Sequence, residues 1–255
     1  MKRIAVLCLF WPLFLWSQSS NQMREKIQIG ETTIEFVIQK VELSTSIIFL
    51  NLHEDETTSI EALQAFSEME PLPYFYLNHE QTRRIRFIIK EKTFDIDPNR
   101  IFTRRGRRLT LKDGDGGHSW KASRHTKKLA KAILDKIPTD KTVVAVHNNT
   151  DVAYSIKSYE PGGDEYQNTK EVYVNSEMDP DDFIYTTEKK FYDAFKSRGI
   201  NVILQDNQKY VNDGSLSVYC GKRGIPYINI ETQKGHFDAQ MHLIQVTLEV
   251  VNAEK

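Results

Sequence analysis

Short runs of β-branched and aromatic residues alternate along this chain with amphipathic helical patterns, and that alternation confines it to folds in which helices cover a sheet. Extended runs fall at 27–39, 46–53, 74–77, 85–90, 142–147, 171–175, 183–185, 201–204 and 227–231. Helical patterns fall at 58–69, where Thr58 and Ser59 suit a cap, at 119–137, where Leu129, Ala130, Ile133 and Leu134 underlie a basic face, and at 187–198, closed by Gly199. A last helix is expected over 237–253. The predicted architecture is a single α/β domain, a mixed twisted sheet flanked by helices. With 255 residues and no internal repeat, the chain can bury one full core without a disulfide or a structural metal.

The beginning of the chain differs in kind. Lys2 and Arg3 precede an apolar run over 4–16, and polar residues follow at 17–20, the three parts of a secretory signal peptide. We expect residues 1–18 to be removed, leaving 19–255 as the working domain of an exported protein, periplasmic or extracellular. The run is short for a bilayer span and contains Pro12, so no stable membrane span is expected after cleavage. Leu7 before Cys8 and the apolar residues after it argue against a lipid anchor there. Cys220 is then the sole cysteine, which excludes an internal disulfide and suits a small buried side chain. The formal charge of −1 gives no reason to expect nucleic acid or an anionic membrane as the main partner.

In open α/β sheets the reacting groups stand on loops outside the carboxyl ends of the strands, so polar residues directly after apolar runs are the candidates. Four places qualify. In the first, residues 47–52 run into His53-Glu54-Asp55-Glu56, where an imidazole and a carboxylate three residues apart can chelate one Zn²⁺. In the second, residues 143–146 run into His147-Asn148-Asn149; His147 is either a hydrogen-bonded structural residue or a third ligand that leaves a fourth position open. The third is Asp97-Pro98-Asn99-Arg100, whose amide and planar guanidinium suit a substrate carboxylate, or else a surface turn with a salt-bridged Arg. The fourth is Tyr227-Ile228-Asn229-Ile230-Glu231, where a carboxylate closing an apolar strand needs either a cation or a task.

The order His53-x-x-Glu56, Asn99-Arg100, His147, Glu231 resembles that of the zinc carboxypeptidase superfamily, which includes carboxypeptidase A and the aspartoacylase and succinylglutamate desuccinylase branch. A Tyr followed by a Gly-Ser loop, Tyr210 to Ser217, precedes the last Glu as it does in that family, so the likeness spans residues 53–231. The resemblance implies a zinc carboxypeptidase-like fold with one Zn²⁺ per chain held by His53, Glu56 and His147. It implies Glu231 as general base and then general acid, and Asn99 and Arg100 as the grip on a free carboxylate. For the Arg that serves the oxyanion, Arg83, Arg84 and Arg86 lie in the right stretch and we select Arg84. Tyr210 is the residue expected to close over the substrate, with Tyr219 and Tyr154 as substitutes. Asn148 and Asn149 depart from the family pattern and would add amide groups at the metal's edge.

Other constellations lack ligands at chelating spacing. His79-Glu80, His118 with His125, and His236 with His242 read as surface or structural histidines. Asp113-Gly114-Asp115-Gly116-Gly117 reads as a flexible turn, since it has no ligand series ending in Glu. Arg104-Arg105-Gly106-Arg107-Arg108 reads as a solvated loop. The resemblance implies a zinc-dependent metallopeptidase or amidohydrolase that cleaves an amide bond, most simply a metallocarboxypeptidase or peptide amidase, and the expected export points to peptides, cell-wall peptides among them, as substrates. A deacylase of N-acyl amino acids and a non-catalytic binding protein on the same fold are the rivals.

Overall fold

The computed structural model describes residues 22–41, 45–150 and 154–254. The expected signal peptide, residues 1–18, lies outside them. Among the described residues no helix is long and apolar enough to cross a membrane.

Nine strands form one sheet in the order β1-β2-β4-β3-β7-β11-β9-β10-β8. They are β1 (Gln22–Ile29), β2 (Thr32–Gln39), β3 (Ile47–Asn51), β4 (Tyr74–Asn78), β7 (Thr142–Asn149), β8 (Thr169–Tyr173), β9 (Phe183–Thr186), β10 (Val202–Gln205) and β11 (Tyr227–Gln233). The middle of the sheet, β4-β3-β7-β11, is parallel, and antiparallel pairs flank it, β1-β2-β4 on one side and β11-β9 and β10-β8 on the other. A separate antiparallel pair, β5 (Ile85–Ile89) and β6 (Lys92–Ile96), stands apart from the sheet. The mixed sheet agrees with the expectation. The run 27–39 proves to be two strands joined at Gly30 and Glu31, because a left-handed Gly30, φ 61°, turns the chain back on itself.

Every residue of β7 is buried, as a central parallel strand covered on both faces must be. Period-two alternation sorts its side chains. Val143 and Ala145 join a core with α2 (Arg104–Asp113), α3 (Trp120–Leu134) and α5 (Leu216–Arg223), while Val144 and Val146 join a core with α1 (Thr57–Met69), α4 (Lys189–Ser197) and α6 (Phe237–Ala253). Burying these two layers, among them Phe36, Phe49, Phe75, Phe87 and Phe191, supplies the main folding force. The β5–β6 pair packs Ile85, Phe87, Phe94 and Ile96 into the first core.

Two expectations change here. Residues 104–113 are helix α2, capped by the Thr103 side chain accepting from the Gly106 N–H, rather than a loop. Its buried Thr110 and Leu111 form the packing face that a reading by charge alone overlooks. α5 was likewise not expected; it is a short helix between the Ser215 cap and Gly224.

Candidate active site

The strand order decides the site. β3, β7 and β11 are adjacent and parallel, so their carboxyl ends open on the same edge of the sheet. In that register Glu231 lies opposite His147, and both share the face of Val143, Ala145 and Tyr227. His53 follows β3 directly, and its carbonyl accepts the Glu56 N–H in a turn that leads into α1. Glu56 occupies the N-cap position of α1 but makes no side-chain cap, so its carboxylate is free to face the imidazoles.

Three groups meet there, all buried: His53 Nδ1 lies 2.9 Å from Glu56 Oε1, His147 Nδ1 lies 2.8 Å from Glu56 Oε2, and the two Nδ1 atoms lie 3.3 Å apart. A tetrahedral ion with bonds of about 2.0–2.1 Å holds two nitrogen ligands about 3.3 Å apart, so the spacing of the imidazoles fits Zn²⁺. The convergent His-Glu-His group is able to bind a metal. The far nitrogen of His53, Nε2, is 2.9 Å from Asp97 Oδ1, a carboxylate that fixes the ring's orientation. Behind Glu56, the buried Asn51 amide donates to Ser59 Oγ and to the Val146 carbonyl, bracing the strand ends.

The charges are strongly coupled. Burial acts to lower the His53 pKa, but the Glu56 and Asp97 carboxylates outweigh it and raise it to about 9. Burial opposes ionisation of Glu56 and Asp97 in turn, yet His147 and His53 hold the Glu56 carboxyl well below its ordinary value, and His53 with Arg100 and Arg83 does the same for Asp97. Glu231 behaves oppositely. Burial raises its carboxyl, and the pull of His147 and of the Asn229 amide, 2.9 Å away, does not reverse it. A buried carboxyl with a raised pKa is suited to take and return a proton.

A cavity of about 520 Å³ opens over these groups. His53, Glu56, His147, Glu231, Asn99, Arg100 and Tyr210 all line it, whereas Arg84 does not. Arg84, the expected choice, is engaged elsewhere: its guanidinium is bound to Asp95 of β6 at 2.7 Å and, on α2, to the Thr110 carbonyl at 2.9 Å and Asp113 at 3.3 Å. Arg83 lines the cavity instead, with Nη1 2.7 Å from Glu56 Oε1. Arg100 meets Asp213 at 3.3 Å and is half-exposed. Asn99 Oδ1 accepts the Leu216 N–H at the start of α5, leaving its NH₂ unpartnered among the described residues.

Gly214 and Gly106 draw this rim together. A Cβ on Gly214, φ +91°, would come within 2.4 Å of the Arg100 carbonyl and 2.5 Å of Gly106 Cα, so only glycine lets the Tyr210–Ser215 segment close on α2. Tyr210 is half-buried at the mouth, while Tyr154 pairs with Tyr159 deeper in and Tyr219 lies against Phe102. Asn148 also borders the cavity, but its amide is taken up by other partners. Alternation turns it to the opposite face, where it accepts the Ser59 N–H and donates to Thr232 Oγ1. Asn149 donates to the Asp181 carbonyl at 2.6 Å.

Sequence reasoning missed the role of Asp97 and the Arg100–Asp213 pair. Asp97 stood in a quoted motif, and a carboxylate closing β6 was the available signal; nothing local tied Asp213 to Arg100. The remaining histidines stand away from this centre. His125 accepts the Gly30 N–H and His236 meets Asp182, with which Asp179 forms a second, more exposed group of possible ligands. Cys220 is buried, which pushes its thiol up to about 12.

No family profile matches the chain, and no curated protein matches it. Similar solved structures include a metallo-carboxypeptidase of Burkholderia cenocepacia, 10% identical over 93% of this chain and 66% of that one, TM-score 0.49. Thrombin activatable fibrinolysis inhibitor is 12% identical over 92% and 70%, TM-score 0.44. The murein-tripeptide amidase of Escherichia coli O157 is 12% identical over 84% and 85%, TM-score 0.43. At this level none of them bears on the chemistry, which rests on the side chains described above. The chain is similar in overall path to solved metallo-carboxypeptidases.

Proposed function

We propose that the protein is an exported zinc-dependent hydrolase of amide bonds, a metallocarboxypeptidase or peptide amidase whose substrate carries a free carboxylate, with cell-wall peptides in its range. One observation carries the reading: two imidazole nitrogens and a carboxylate converge at ligand spacing, with a second, protonatable carboxylate on the adjacent strand. His53, Glu56 and His147 hold the metal, which when bound supplies a Lewis acid for the scissile carbonyl and an acidified water.

The chain's own groups do the rest. Glu231 accepts the proton of the attacking water and later delivers it to the leaving amine, a double duty served by a carboxyl raised by burial. Arg83 sits beside Glu56 and is half-exposed toward the cavity, so it can swing onto the oxygen where negative charge develops. Arg100 and the free NH₂ of Asn99 orient the substrate carboxylate, and Tyr210 covers the bound end. Zinc analysis of the purified protein, beside hydrolysis of peptides with free and amidated C-termini, tests the reading. About one zinc per chain and loss of cleavage on amidation are expected. No zinc after resupply, or equal cleavage of both peptides, overturns it.

A further inference from the structure

The near-neutral total conceals an uneven distribution of charge. Residues 104–131 carry ten Lys and Arg against Asp113 and Asp115, a net +8, which leaves −9 on the rest of the chain. The structure places these cations on two helices, α2 and α3, that pack against each other and on the same face of the sheet. Arg104, Arg105, Arg108, Lys112, Lys121 and Arg124 are exposed, and none has a carboxylate partner among the described residues.

Their placement runs against helix stability. Neither helix has an acidic residue in its first turn, where the macrodipole favours one; α2 instead begins Arg104-Arg105, and α3 has Lys121 at the equivalent end. Arg104 also lowers the pKa of Arg107 by repulsion, second to burial. Cations kept where they cost stability mark a function other than folding. From the same surface stand two large apolar side chains, Trp120, 67% exposed, and Leu109, 44% exposed, and Trp120 shares a shallow cavity with Lys121, Arg124 and Lys128.

We propose that the outward face of α2 and α3 is a docking surface for an anionic phospholipid bilayer. The cations complement the headgroup charge, and the indole and the aliphatic tip enter the boundary between headgroups and acyl chains. A nucleic-acid backbone would satisfy the cations and could stack on Trp120, but it offers Leu109 nothing. The start of α2 packs against Gly214, whose segment carries Tyr210 of the cavity mouth, so docking brings that mouth close to the bilayer. The surface is independent of the hydrolase reading.

Co-sedimentation of the purified protein with phosphatidylcholine vesicles and with mixed phosphatidylcholine/phosphatidylglycerol vesicles tests this. The difference between the two vesicle types is the readout, since an apolar N-terminal run, if retained, would bind both alike. Preference for the anionic vesicles, suppressed by salt, is expected. Lys121→Gln/Arg124→Gln/Lys127→Gln, with an unchanged thermal melt, should weaken that preference about a hundredfold, taking about a fivefold loss per cation. Trp120→Ala and Leu109→Ala should each weaken anionic binding at a salt concentration that screens the charges. Equal binding to the two vesicle types overturns the proposal. So does duplex DNA binding that exceeds vesicle binding and ignores Leu109→Ala, which would make the face a polyanion site.

Discussion

The cavity receives charged groups from two parts of the molecule built on different principles. The ends of β3, β7 and β11 deliver His53, His147 and Glu231 from fully covered parallel strands, and what they deliver is buried and held by opposing charges. The short segment that enters β5 delivers Arg83 from outside the ladder of the β5–β6 pair, and that guanidinium is half-exposed. On the sheet, position is dictated by register with both neighbours. On the entry segment no ladder fixes the position, and a step of one residue sends Arg84 away from the cavity to the buried Asp95. The lesson is that the rigid part can build a metal centre, whose ligands must hold fixed distances, while the looser part suits a cation that moves onto charge as it develops.

Breaking the rigid side should have the largest effect. His53→Ala/His147→Ala is expected to abolish zinc binding, read by elemental analysis; a variant that keeps its zinc would dissolve the centre. Glu231→Gln should retain the metal and lose hydrolysis by about 10²–10⁴-fold, the usual worth of a general acid–base group, in a peptide assay. Next comes Asp97→Asn, which leaves every ligand in place but weakens the support of His53; zinc affinity measured by chelator competition should fall by about 10–100-fold.

The entry segment sharpens the contrast. Arg83→Gln should keep zinc and lower kcat by about 10²–10³-fold, whereas Arg84→Gln should leave kcat alone and cost about 1–3 kcal/mol of stability, because it leaves the buried Asp95 carboxylate without its cation. Equal kcat losses in the two would erase the distinction drawn between them. The smallest effect concerns pH in the metal-free protein. His53 has a folded pKa raised to about 9 from 6.5, so its stabilisation is complete below pH 6.5 and is lost as pH rises toward 9. The melting temperature of the chelator-treated protein should fall across that window, and reloading with zinc should remove the fall, because metal and proton compete for the same nitrogen. A pH-independent melt without metal would separate His53 from its two carboxylates.

Much of this was legible in order and spacing. His53-x-x-Glu56 crosses a single turn, His147 and Glu231 each close an apolar run, and such features are local enough for residues alone to display. The fate of Asn148 was legible in principle, since it adjoins His147 on a strand and must face the other way. The helical character of 104–113 was hidden because its apolar face consists of little beyond Leu111 and small residues, Gly106 and Thr110, while five cations dominate the pattern. The pairing of Arg100 with Asp213 spans more than a hundred residues and left no local trace.

By itself, then, the chain's sequence determined the α/β class, the candidate ligands and the candidate base, because alternation and chain order are properties of neighbours. Only the tertiary structure decided that β3, β7 and β11 lie side by side, that Arg83 rather than Arg84 faces Glu56, and that Asp97 backs His53. Those outcomes depend on which strands pair and in which register, and strand pairing is settled by burial of whole faces across long separations in the chain. The same burial packs together two helices on which the sequence alone already places ten cations, in a chain whose total charge is −1.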